Sequence, residues 1–202
     1  MALPWNTMPG PDNGRPALHH LTELGDVEPP EPTCHKDFIA ADYHGKGVSH
    51  LDALSHIAYR GQLYDGRRAR VRRCQVGPVR RGRRPRSPGD PGVLLDMPAV
   101  LGRDWLEPGT AVHAEDVLAA EKVLGVTIGE GDAVLLRSGH FRRRRELGAW
   151  NPDEASAGFH AVAMPLLAER GIALLGGDGD SDVRPSPVEG VSSPCTPWPS
   201  PP

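Results

Sequence analysis

The run from His44 to His56 reads His-Gly-Lys-Gly-Val-Ser-His-Leu-Asp-Ala-Leu-Ser-His and gathers three histidines and one aspartate in thirteen residues. His50 and Asp52 are two apart, and on an extended strand such residues project from the same face. An imidazole beside a carboxylate suits a divalent ion such as zinc or manganese. His56 follows Asp52 by four residues. If the chain turns into a helix after Asp52, His56 swings back over the pair, where it can act as general base on an activated water. An ordinary reading stands beside this one. Nine histidines in 202 residues produce some clustering by chance, and most His-x-Asp pairs are surface polar residues.

The segment Val48-Ser-His-Leu-Asp-Ala-Leu-Ser-His56, followed by Gly61-Gln-Leu-Tyr-Asp-Gly66, resembles the signature of the cyclase family of metal-dependent hydrolases. That family includes bacterial kynurenine formamidases, the arylformamidases of tryptophan catabolism, and isatin hydrolases. Its pattern reads His-x-Gly-Thr-His-x-Asp-x-Pro-x-His, or Thr-His-x-Asp-Ala-Leu-x-His in a longer branch that continues into Gly-x-x-Tyr-Asn-Gly; this chain resembles the longer branch. The resemblance implies that His50 and Asp52 are metal ligands and His56 the catalytic acid/base. It implies zinc or manganese as cofactor, and hydrolysis of an amide or cyclic amide in a small molecule. The fold it implies is α/β, a swivelling β/β/α domain. The family's first histidine ligand, four before the second, falls here on Lys46, and an ammonium cannot ligate a cation. His44, two residues earlier, is the candidate substitute; it reads equally as a polar strand-end residue. Family members are often homo-oligomers, which the resemblance extends to this chain as an expectation.

Composition narrows the classes. A chain of 202 residues can form one domain with a real core. A formal net charge of -3 excludes a protein that seeks polyanions with its whole surface. Cys34, Cys74 and Cys195 are odd in number and far apart, which argues against a disulfide framework and suits a reducing cytoplasm. The start, Met-Ala-Leu-Pro-Trp-Asn, carries no basic region followed by an apolar run, so no signal peptide is expected. No apolar stretch reaches membrane-spanning length. No Gly-x-Ser-x-Gly elbow announces a covalent nucleophile.

Several elements must position the motif. Residues 1–36 are broken by Pro4, Pro9, Pro11, Pro16, Pro29, Pro30 and Pro32 and read as an N-terminal arm of extended segments and loops. Trp5 in that arm is either a substrate-facing aromatic or a docking residue. A cyclase-like domain is expected over 37–191. Asp37–Tyr43 reads as a strand approaching the motif, Ala53–Tyr59 as a short helix and Asp65-Gly66 as a turn. Core strands are expected at Gly92–Pro98, Gly131–Gly139 and Ile172–Gly176. A helix is expected from His113 to Leu124, with Val117, Leu118 and Val123 apolar, and another over Gly158–Gly171, kinked at Pro165. His113 reads as a helix-start surface residue and His160 as a structural or pocket-rim residue. Arg142–Arg145 reads as a solvated helix face. Arg137-Ser138-Gly139 resembles the family's Arg-Thr-Gly beside the active site. Asp178, Asp180 and Asp182 alternate but lack the twelfth-position glutamate of a calcium loop, so a strand-end loop is expected.

Two segments depart from this pattern. Ten arginines lie between Arg67 and Arg86 with almost no apolar periodicity. The resemblance stops near Gly66 and resumes near Gly92, so residues 67–91 read as an out-of-frame or disordered insert. Read instead as a basic arm for an anionic partner, the insert supports a second function: a non-catalytic, degenerate cyclase-fold binding protein. No aromatics are interleaved for base stacking, which argues against nucleic acid. After Val191 the family continues with a Pro-x-His metal ligand, whereas residues 192–202 read as a disordered Pro-rich tail. The domain is therefore expected to be incomplete at its C-terminus, and the expectation is split: hydrolase chemistry for the family, and an inactive or poorly folded chain as written.

Overall fold

In the computed structural model of the chain, residues 5–23, 34–52, 56–63, 68 and 92–195 are described. They fall into two units, Met1–Leu51 and Asp52–Pro202. The Arg-rich insert at 67–91 lies outside the described residues except for Arg68, as does the tail from residue 196 onward.

In the first unit, β1 (Leu18–Glu23) pairs antiparallel with β2 (Lys36–Ala40). One of the extended segments expected in the N-terminal arm is thus a strand. Cross-strand pairs support the ribbon: His19 meets Asp37 at 2.9 Å, Lys36 meets Glu23 at 2.7 Å, and the His20 ring packs on its partner Phe38. β2 ends at Ala40, three residues before the expected end at Tyr43. The chain instead turns, with the Gly45 amide donating to the Asp42 carbonyl at 2.9 Å. Asn13 holds the preceding loop. It is buried, and its amide donates to the carbonyls of Asn6 and Met8 at 2.9 and 2.8 Å. Its Oδ1 lies where a Cβ on Gly47 would come within 2.9 Å, so Gly47 has room for no side chain.

The second unit is built on a parallel sheet of order β3-β5-β7: β3 (Gly92–Asp96), β5 (Ala133–Arg137) and β7 (Leu174–Gly177). All three expected core strands are present. Among the described residues its two faces differ: Val93, Leu95, Val134 and Leu136 are buried, whereas Leu94 and Leu135, paired in register, are 49% and 39% exposed. Met97 and Pro98, read as the end of the first strand, instead open α1 (Met97–Leu101), where the Asp96 carboxylate accepts the Ala99 amide at 3.1 Å. The proline fits there because a first-turn N–H has no intrahelical partner.

Short strands β4 (Ala111–Val112) and β6 (Gly158–Phe159) pair in parallel. Between β4 and β5 runs α2 (Ala114–Leu124), starting after His113 as expected, with the His113 amide donating to the Asp116 carboxylate at 2.8 Å. Its buried face is Val117, Ala120 and Glu121; Leu118 and Val123 face solvent, because a 3.6-residue period leaves them off the stripe set by Val117. Glu121 takes the Ile128 amide at 2.7 Å and pairs with Arg170. Arg170 thus reaches a buried carboxylate.

α3 (His140–Leu147) carries the arginine run on a largely solvated surface. The single helix expected over 158–171 is three elements: β6, a 3-10 turn at Ala161–Ala163, and α4 (Met164–Glu169). Pro165 therefore lies in the first turn of α4 and kinks nothing. Of the helix expected over 53–59, residues 53–55 lie outside the described set; residues 56–59 form a bend and an isolated bridge. The turn falls at Arg60-Gly61, between Tyr59 and Gln62, whose backbones exchange two hydrogen bonds of 2.9 Å; Asp65-Gly66 is outside the described residues. Residues 192–195, the start of the tail read as disordered, pack instead: Pro194 and Cys195 are buried, and the Cys195 amide donates to Asp182 at 2.6 Å.

Among the described residues no helix is long and apolar enough to cross a membrane.

Candidate metal centre

The motif run is not a strand. From Tyr43 to Val48 it is turns and bends, and from Ser49 to Asp52 it is irregular. The same-face argument from strand pleating therefore does not position His50 and Asp52; turns do. The Asp42–Gly45 turn sets Tyr43 and His44 at its two central positions. A Cβ on Gly45 would lie 2.9 Å from the Asp42 carbonyl, so the turn closes only with glycine there. The chain then loops back over Gly47 to His50.

One ligand atom from each of His44, His50 and Asp52 lies within 4.8 Å of the other two, and all three residues are exposed. Among the described residues this is the one group of three such side chains close enough to hold an ion. The donors come from one continuous run of chain, His44 to Asp52. Two imidazoles and a carboxylate form a donor set that suits zinc or manganese. His50 is oriented: its Nδ1 lies 3.0 Å from the Val48 carbonyl. A carbonyl only accepts, so Nδ1 carries the proton in this contact. Tyr43 contacts both histidines, with ring centroids 5.3 Å from His44 and 5.5 Å from His50. The sequence reading missed Tyr43; an aromatic beside a histidine in an Asp-x-His-Gly turn was the available signal.

Lys46 is exposed, and its ammonium offers no lone pair to an ion. His56 is exposed and is outside the group. Trp5 is half exposed. His113 and His160 stack with centroids 4.6 Å apart, and His160 Nδ1 accepts the Val162 amide, so both are engaged at element starts. The three alternating aspartates go to separate partners. Asp178 accepts the amides of Ser138, Gly139 and His140 and the Ser138 hydroxyl at 2.7–3.0 Å. Asp180 pairs with Arg184 at 2.7 Å, and Asp182 takes the Cys195 amide. That is the expected strand-end loop. Burial pushes the Asp182 carboxyl up, against the lowering effect of the Cys195 amide.

A family model described as "Putative cyclase" matches residues 23–181, which take in the whole motif run. The chain belongs to the cyclase family. As a cyclase-family protein it has the expected α/β fold, and a solved structure described as a novel cyclase matches it with a TM-score of 0.69 at 22% identity. The match covers 88% of this chain and 62% of the solved one, so this cyclase-family chain spans less than two thirds of that neighbour's length. No curated protein matches it.

Proposed function

We propose that this cyclase-family protein is a metal-dependent hydrolase of a small amide or cyclic amide, arylformamidase-like in the manner of kynurenine formamidases or isatin hydrolases. The observation that carries the reading is the convergence of His44, His50 and Asp52 donors within 4.8 Å. These three residues would hold zinc or manganese. When bound, such an ion polarises a carbonyl and lowers the pKa of water, which is the chemistry amide hydrolysis lacks at neutral pH. His56 supplies the proton traffic. Its imidazole takes the proton from the attacking water, and returns it to the leaving nitrogen as the carbonyl carbon–nitrogen bond breaks. No covalent nucleophile is needed. His44 stands in for the ligand that Lys46 cannot be. A reducing, cytoplasmic setting accords with free Cys34 and Cys195.

The test uses the full chain loaded with zinc or manganese and assayed on N-formylkynurenine and isatin. Hydrolysis that a chelator abolishes and either metal restores is expected. His56→Ala should lower kcat by about 10²–10⁴ while metal retention stays unchanged. Equal turnover by the chelated and loaded protein would overturn the reading.

A further inference from the structure

We infer that Tyr43 is a positioning residue that holds His44 and His50 in ligand geometry before a metal arrives. The inference rests on the metal reading above and deepens it. Three rings form a closed triangle: Tyr43 to His44 at 5.3 Å and 85°, Tyr43 to His50 at 5.5 Å and 58°, and His44 to His50 at 5.5 Å and 83°. The Tyr43–His44 and His44–His50 contacts are edge-to-face and the Tyr43–His50 contact is tilted, and aromatic contacts at this spacing are attractive and directional. The terminal torsion of an exposed imidazole is otherwise broad. Here each histidine ring is bracketed by two others. The backbone leaves little choice either: Tyr43 and His44 are consecutive at the centre of the Asp42–Gly45 turn, and His50 is tied to the Val48 carbonyl. Without the Tyr43 ring each imidazole loses one of the two ring contacts that bracket it. Binding would then have to supply the ordering that Tyr43 supplies in advance.

The argument needs the ring and not the hydroxyl. The experiment compares the wild-type chain with Tyr43→Leu, Tyr43→Ala and Tyr43→Phe. Zinc affinity is read by competition with a chromophoric chelator, and ligand geometry by the visible spectrum of the cobalt(II)-loaded protein. Circular dichroism confirms that each variant is folded. Leu and Ala are expected to bind zinc about tenfold more weakly, with a weaker and shifted cobalt band, while Phe matches wild type. Wild-type affinity and spectrum in folded Tyr43→Leu would overturn the inference while leaving the metal reading intact. Equal weakening in Tyr43→Phe would overturn it too, since the hydroxyl would then be the active group. A wild-type chain that binds neither ion sinks the metal reading itself, and this inference with it.

Discussion

At the scale of single residues, the candidate centre depends on which side chain supplies the third donor. The family pattern points to position 46, and the residue there is a lysine whose ammonium has donors only. The fold gathers His44, His50 and Asp52. Replacing the two positions in turn separates these cases. His44→Ala should weaken zinc binding by more than the roughly tenfold that a change beyond the ligands costs, whereas Lys46→Ala should leave it within about threefold. Calorimetric titration of both variants checks this, and the reverse order would return the site to the family's spacing. Neighbouring glycines matter for the same reason. Gly45 and Gly47 meet the Asp42 carbonyl and the Asn13 side chain so closely that a methyl group would disturb the loop. Asn13 is itself a residue that only the folded chain reveals: nothing local says that a loop asparagine will be buried and hold two carbonyls.

At the scale of elements, the parallel sheet is the frame of the second unit, and its two faces differ. Leu94 and Leu95 are neighbours of the same type on β3, yet Leu95 is fully buried and Leu94 is 49% exposed. Leu95→Ala should therefore destabilise by about 2–5 kcal/mol, and Leu94→Ala by less than about 1 kcal/mol. Urea unfolding of both variants reads the difference, and similar losses would mean that the outer face is covered. The apolar runs at Gly92 and Gly131 announce strands without saying which face is covered, since a continuous run is what two buried faces require. Glycine marks the close contacts of the frame. Gly139, with φ of 81°, sits at the end of β5 where a Cβ would lie 2.8 Å from the Trp105 Cα. Gly158 on β6 abuts the Asp182 backbone. Asp178 then ties β7 to the start of α3 by accepting three consecutive amides.

At the scale of the whole molecule, folding changes what buried groups do with pH. Asp182 is nearly inaccessible, and burial raises its carboxyl above the ordinary range; Asp180 adds to this, while Arg184 and the Cys195 amide oppose it. The folded state therefore keeps this proton to higher pH than the unfolded chain does. Its stabilising contribution is full below the unfolded value and is lost as pH rises through the folded one. Asp182→Asn keeps an oxygen to accept the Cys195 amide but cannot titrate. The wild type should thus lose stability relative to the Asn variant as pH rises from about 3 to about 7. Denaturant midpoints of both proteins across that range check the sign, and a parallel pair of curves would contradict it. Glu107, exposed and held low by hydrogen bonds from Trp105 and Arg143, acts in the opposite direction in both proteins and cancels in the difference. Cys195 belongs to the same buried group, and burial pushes its thiol up strongly.

The sequence by itself determined the family, the three core strands, α2 and the histidine-aspartate run. Each is written in local order: apolar runs between glycines, a capped helix start, and a signature of fixed spacing. Only the tertiary structure decided the rest. Period-2 and period-3.6 patterns do not say that Gly158 would become a strand paired with β4, because that pairing joins residues far apart in the chain. Nor do they show that Arg170 would find Glu121, or that Pro194 and Cys195 would be buried at the end of an otherwise polar, proline-rich stretch. The proposed third donor is the clearest case. Spacing counted from the family pattern gives position 46; a tight turn at Asp42–Gly45 and a loop over Gly47 bring His44 to His50 and Asp52 instead. Distance in space, not distance in sequence, sets which side chains can share an ion.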